Sequence, residues 1–378
     1  MKEIKAAFIH SSELDEVGYP IDSPFNTRRA GMVYKAVRSM GLLGGGLQRE
    51  VAPERATRAE LERFHSARYL DAIVQAEAGD LTPEAFSMGL GTPDCPVFLG
   101  MFEYASLAAG ASITGARLLL SGEADVAFNP SGGFHHAGPE KASGFCYIND
   151  LVLAAMELAG MGKRVLYLDL DVHHCDGVQA AFYDRNDVMT VSLHESGKTL
   201  FPGDGFVEEI GTGKGKGFSI NIPLPVGTYD AAYERAFREA ALPLIEKYDA
   251  DIIIMQLGMD ALSGDPLAHL NCTNNVHADT IHSIMKLAKP ILATGGGGYN
   301  VDKTVRGWTL SWYVLTGEED QDLTLGLGGV MLENIDWTGG LRDRATVPDV
   351  ARSGQVDSEI ACVIERIRSE LFPLHGLT

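Results

Sequence analysis

VLYLDLDVHHCDG, residues 165–177, passes from an unbroken apolar run to closely spaced acids and histidines. Val165 to Leu168 are apolar without a break, and Asp169, Asp171 and His173 then follow at two-residue steps. An apolar run of this length reads as a strand buried on both faces. In an extended chain residues two apart point the same way, so the three polar groups share one side of the strand's end.

Further short apolar runs read as strands: Ile4 to Ile9, Val126 to Phe128, Val188 to Leu193, Ser219 to Ile222, Ile252 to Leu257 and Ile291 to Ala293. The central run itself spans Arg164 to Leu170. Between them, Phe102 to Leu120, Leu151 to Ala159, Ala231 to Ile245 and Thr280 to Leu287 carry helical spacing. Alternation of this kind predicts an α/β protein with an open, mostly parallel β-sheet and helices on both faces. No linker or composition break occurs before about residue 320, so residues 1–378 are read as a single domain with its motifs in about 5–320. The stretch Gly317 to Arg352 is polar and Gly-rich, and residues 321–378 form a C-terminal extension. There Val356, Ile360, Val363, Ile364, Ile367 and Leu371 sit at helical spacing, predicting a helix that packs on the body.

The 378 residues are 45% hydrophobic and 22% charged, ordinary globular values. A formal net charge of -20 argues against a nucleic-acid partner, since phosphate binding needs clustered Lys and Arg, and would steer a cationic substrate inward. The start MKEIKAAFIHSSELDE lacks a secretory pattern and no stretch is apolar for about 18 residues, so no membrane association and a cytoplasmic location are expected. The five cysteines are widely spaced without a C-x-x-C pair, which predicts reduced thiols. GTGKGKG at 211–217 lacks the Lys-Ser/Thr ending of a phosphate loop and is read as a flexible hairpin tip.

Four groups of polar residues fall where strands end, which is where open α/β sheets bind ligands. Asp171 and His173 are suitable ligands for zinc or iron, although a hydrogen-bonded pair of strand-end residues is an equal reading. Asp260, in LGMDAL, follows the apolar run Ile252 to Leu257 and would be a third ligand or a helix N-cap. His135 and His136 follow Gly132 and Gly133, and either serve as general bases held by Asp169 and Asp176 or sit on a surface loop. ATGGGGYN, residues 293–300, allows close backbone approach and presents Tyr299 as a donor to a developing oxyanion, without the helix and acidic residue of a dinucleotide fingerprint.

Taken together, HHA (135–137), GFCYIND (144–150), DLDVHHCDGVQ (169–179), SLHES (192–196), FPG (201–203), LGMDAL (257–262) and GGGGYN (295–300) resemble the histone deacetylase superfamily in order and spacing. The likeness is to bacterial histone-deacetylase-like and acetoin-utilisation deacetylases. It implies the arginase/deacetylase fold and a hydrolase of linear amide C–N bonds. By this resemblance Asp171, His173 and Asp260 bind one Zn²⁺, with Fe²⁺ as the other candidate. His135 pairs with Asp169, His136 with Asp176, and Tyr299 donates to the substrate carbonyl. Gly144, Phe145, His174, Phe201, Leu267 and Gly297 line an acyl-lysine tunnel, Asp94 holds the substrate backbone at the rim, and Arg29 lies at the acetate exit. A structural K⁺ or Na⁺ would use Asp169, Asp171, His173, Ser192 and Leu193.

The resemblance implies removal of acetyl groups from lysine in proteins, with small acetylated amines such as polyamines as the alternative substrate. No long insertion narrows the entrance, which favours the protein substrate. An arginase-like two-metal site would need carboxylates at Cys175 and Leu262. A non-catalytic binding protein would be expected to lack a ligand or the tyrosine. Cys95 and Cys146 fall in motif segments flanking the pocket, where inert thiols and a redox pair are both conceivable.

Overall fold

The computed structural model describes residues 3–318, 340–344, 346, 348 and 350–378. Eight parallel strands form one sheet: β1 (Ala6–Ile9), β2 (Gln48–Val51), β3 (Val126–Asn129), β4 (Val165–Asp169), β5 (Val188–Glu195), β6 (Ser219–Leu224), β7 (Ile252–Gln256) and β8 (Ile291–Thr294). Their spatial order is β2-β1-β3-β8-β7-β4-β5-β6. Every residue of β4, β7 and β8 is buried, as continuous apolar runs between two helical layers require.

β3 and β4 are consecutive in the chain yet stand on opposite sides of β8 and β7. The chain therefore crosses over there and leaves a crevice at the carboxyl ends of the central strands. β2, QREV, was not among the expected strands. It is an edge strand whose Arg49 and Glu50 are exposed, so it carries no apolar run.

Helix Met101–Ser121 packs beside Asp150–Gly160 on one face. On the other, Trp312 of helix Val301–Leu315 meets Phe8 of β1 edge-on at 5.2 Å, with Phe128 of β3 5.6 Å from Phe8. Two motif asparagines start these helices: Asn149 Oδ1 accepts from the Val152 amide at 3.0 Å, and Asn300 Oδ1 from the Lys303 amide at 3.2 Å. The helix expected over Ala231 to Ile245 runs from Asp230 to Tyr248 with one π turn at Phe237–Ala241. Pro243, which cannot donate an amide hydrogen bond, follows that turn.

Gly211 to Gly217 connects β5 to β6, and those strands are parallel, so the segment cannot be a hairpin tip. It is a close-packed turn: a Cβ on Gly211 would sit 2.1 Å from the Gly215 carbonyl oxygen. The C-terminal helix Val350–Glu370 buries Val356, Ile360, Ile364 and Ile367, and Tyr229 donates to Asp357 at 2.7 Å. Of the stretch Gly317 to Arg352, residues 319–339, 345, 347 and 349 lie outside the described residues. Among the described residues no helix is long and apolar enough to cross a membrane.

His65 shows how burial sets protonation in this fold. Its Nε2 accepts the Asn149 amide at 3.0 Å, and burial pushes its pKa down to about 4. The neutral ring therefore stabilises the fold above its ordinary value of 6.5, and that contribution is lost as pH falls from 6.5 through 4. We expect about 2 kcal/mol of stability to disappear between pH 7 and pH 5 from this residue. In His65→Gln, which keeps an acceptor without a titrating ring, urea melts at the two pH values should differ by correspondingly less.

Candidate active site

Five neighbouring strands, β3, β8, β7, β4 and β5, send loops to one end of the sheet. β4 delivers Asp171 and His173, and β7 delivers Asp260 from the neighbouring strand. His173 Nδ1 lies 3.1 Å from both Asp171 Oδ1 and Asp260 Oδ2. These three buried side chains form, among the described residues, the group whose donor atoms converge within 4.8 Å as a metal ion requires. Their charges fit a cation. Burial, then the charge of Asp171, pushes the Asp260 carboxyl up. Burial alone would lower the His173 imidazole, yet the two carboxylates raise it to about 10. Two carboxylates and an imidazole buried together leave one open side, the arrangement of a catalytic rather than a structural site.

The other oxygens of the carboxylates are taken up by the protein. Asp171 Oδ2 accepts from Gln256 Nε2 at 2.7 Å and from the Gly297 amide at 2.8 Å. Asp260 Oδ1 accepts from the Val172 amide at 2.9 Å. Gly297 has to be glycine: a Cβ there would fall 1.9 Å from Asp260 Oδ2.

The paired histidines stand over this group. His135 Nδ1 donates to Asp169 at 2.8 Å and His136 Nδ1 to Asp176 at 2.6 Å, which turns both Nε2 atoms inward, 3.0 Å apart. Burial would lower His135, but Asp169 and Asp171 raise it to about 9. Burial, and then the neighbouring charge of His135, takes His136 down to about 4 against the pull of Asp176. At neutral pH His136 is thus the ring whose Nε2 carries no proton. The phenol of Tyr299 is pushed up by burial and by the charges of Asp260 and Asp171, so it keeps its proton.

A narrow cavity is lined by His135, His136, Asp171, His173, Gly144, Gly297 and Tyr299, together with Phe25, Gly132, Gly133, Phe134, Cys146 and Gly296. Phe145 stands 5.6 Å from the Tyr299 ring, at a φ of 64°, with Gly144 before it at 52°. A Cβ on Gly144 would meet the His136 ring at 2.3 Å. Asp94 holds this turn, accepting the Gly144 amide at 2.9 Å. Phe201, 44% exposed, packs edge-on to His136 at 5.0 Å.

Arg29 is buried under the glycine run, donating to the carbonyls of Gly296 and Gly298 and stacking on Phe25 and Trp308. It borders a second small cavity that shares Phe25 and Gly132 with the first. Asp169 and Ser192 are register partners on β4 and β5, and Leu193 is the next residue of β5. Leu267 lies on the loop held by Asp265, outside the deep cavity. His174 is not a wall of it at all: its Nδ1 donates to Asp204 at 2.6 Å and its ring packs on His194.

Sequence reasoning passed over three residues here. Gln256 ends an apolar strand and looked like core. The Tyr167 hydroxyl donates to Asp169 beside His135. Asp265 accepts the Tyr299 amide at 2.7 Å. The five cysteines are free, and burial pushes the Cys95 and Cys146 thiols up, away from the reactive thiolate form.

Comparison with known proteins agrees with this geometry. The histone deacetylase domain model matches residues 23–315. Acetoin utilization protein AcuC of Bacillus subtilis is 40% identical over 320 residues, 82% of this chain and 82% of that protein. Histone deacetylase 8 of Xenopus tropicalis is 38% identical over 312 residues, 82% and 84% of the two chains. The crystal structure of an HDAC homolog from Aquifex aeolicus superposes with a TM-score of 0.84 at 33% identity, covering 96% of this chain and 100% of that one. An HDAC homolog complexed with SAHA gives 0.83 at 32%, covering 97% and 100%. Fold, domain match and relatives of this identity agree, and the chain belongs to the histone deacetylase family.

Proposed function

We propose that this protein removes the acetyl group from acetyl-lysine in proteins by metal-assisted hydrolysis, giving lysine and acetate. The observation that carries the reading is the convergence of two His–Asp pairs on a buried Asp/His/Asp group inside one cavity. Family membership supports deacetylase chemistry. Asp171, His173 and Asp260 would hold one ion, Zn²⁺ in the first instance and Fe²⁺ as the other candidate for a mixed N/O set. Such an ion, when bound, supplies Lewis-acid polarisation of the amide and a more acidic water.

The chain's own groups carry the rest. Asp176 fixes the His136 tautomer so that Nε2 accepts the water proton, and the same nitrogen then returns a proton to the leaving amine. Asp169, itself held by Tyr167, keeps His135 charged beside the developing negative charge. Tyr299 donates its hydroxyl to the substrate oxygen as that charge grows. Gly144, Phe145, Phe201 and Gly297 exclude water around the acyl group, Asp94 orients the substrate backbone at the rim, and Arg29 receives acetate at the inner end. A K⁺ or Na⁺ beside Asp169, Asp171, His173, Ser192 and Leu193 would brace the ends of β4 and β5. Residues 1–378 act as one catalytic domain on this reading. A cytoplasmic setting suits four buried free thiols.

Turnover of a fluorogenic acetyl-lysine peptide that a chelator abolishes and Zn²⁺ restores is the expected result. Hydrolysis confined to acetylated spermidine and putrescine would transfer the activity to small amines. Tyr299→Phe should lower kcat by about two to three orders of magnitude with metal content unchanged. An unaltered kcat would remove the phenol from the mechanism. Gln256→Met, which deletes the donor to Asp171, should weaken divalent-metal affinity by about 10- to 100-fold in chelator competition, whereas equal affinity would make Gln256 a packing residue only.

A further inference from the structure

The loop after β5, which carries Phe201, and the loop from Asp265 to Leu270 each touch one residue that lines the cavity. Phe201 lies against His136, while Asp265 holds the amide of Tyr299. One side chain joins the two loops. Glu195, the last residue of β5, has a side chain with 0% exposure. Its Oε1 accepts from the Thr199 hydroxyl at 3.0 Å and from His269 Nδ1 at 2.9 Å, and its Oε2 accepts the His269 amide at 2.9 Å.

Thr199 is two residues before Phe201, and His269 is two after Leu267, whose amide donates to Asp265 at 2.9 Å. Glu195 is in turn anchored from below, its amide donating to the Val172 carbonyl at 2.8 Å between Asp171 and His173. Hydrogen bonds and short stretches of backbone thus run from Phe201 through Glu195 to Tyr299. Burying a carboxylate is costly unless donors surround it, and all three of these donors belong to the two loops.

We infer that Glu195 is a positioning residue: it fixes the spacing between the Phe201 wall and Tyr299, and so sets which acyl chain the site accepts. The clamp touches no metal ligand side chain. The inference rests on the hydrolase reading for its consequence in acyl selection, and on geometry alone for the coupling of the loops. A fixed aperture suits the short acetyl group, because a wall displaced by a fraction of an ångström admits further methylenes and misplaces the donor.

Thr199→Val and His269→Ala each remove one outer partner and leave the buried carboxylate in place, so they keep the test independent of whether Glu195→Ala folds. The measurement is kcat/KM for acetyl-, propionyl- and butyryl-lysine peptides, with metal content checked. Hydrogen exchange over 197–205 and 264–270 is followed in the same proteins. Each single variant should lower the acetyl-to-butyryl preference by roughly fivefold, and Glu195→Ala by roughly tenfold or more, with metal bound as before. Glu195→Gln, which retains an acceptor, should restore part of that preference. Exchange should rise in both loops together, whichever loop carries the substitution.

A preference within twofold of the wild type in all variants, or protection lost only in the mutated loop, would overturn the inference. Should the wild type hydrolyse none of the three peptides, the proposed activity falls. Coupled or uncoupled exchange in the two loops then decides the clamp by itself.

Discussion

Burying Asp171 and Asp260 on either side of His173 is the constraint from which the rest of this end of the molecule follows. Two carboxylates desolvated within reach of each other repel, and the penalty is met only by donors or a cation. The fold supplies the donors from backbone and side chain: the Val172 and Gly297 amides and the Gln256 carboxamide. These partners come from β4, β7 and β8, so the three central strands must keep their register for the group to exist. The Gly297 backbone comes so close that no side chain fits at that position. What remains open is the side facing the histidines, which is where a bound cation would meet substrate.

The histidine pairs use the same physics in the opposite sense. Adjacent in the chain and equally buried, His135 and His136 diverge in protonation because their surroundings differ in charge. His135 lies among Asp169 and Asp171, while His136 meets Asp176 and the positive charge of its neighbour. Environment assigns two roles to one residue type. The third pair, His174 with Asp204, has no access to the cavity and ties the Phe201 loop to the segment carrying the ligands.

Much of this was legible in the sequence, for identifiable reasons. β4 and β7 were read almost to the residue because strands buried on both faces write unbroken apolar runs. The polar residues at their ends stood out against that background. β2 was not legible, since an edge strand with Arg49 and Glu50 facing solvent has no such run. The Gly211 to Gly217 turn was misread because glycine content signals tight geometry without saying whether the flanking strands run parallel. Gln256, Asp265 and Glu195 went unassigned for a related reason. Their partners lie on other loops, and spacing along the chain carries no information about contacts across it. The direction of the His174 ring was hidden in the same way: it shares a motif with His173 and faces elsewhere.

The position of β8 has a consequence for how the molecule comes into being. This strand, Ile291–Thr294, is the last of the eight to be synthesised and lies between β3 and β7. Until it emerges, β2-β1-β3 and β7-β4-β5-β6 have no hydrogen-bonded seam between them, and the apolar edges of β3 and β7 stay open. The glycine run and Tyr299 follow directly on this strand, so the nascent chain cannot complete the site before the sheet is closed. Pairing across so many residues is slow, and the waiting edges are sticky. Ribosome-bound intermediates of this protein should therefore be inert and dependent on protection from association, with catalytic competence arriving in one step as the central slot is filled.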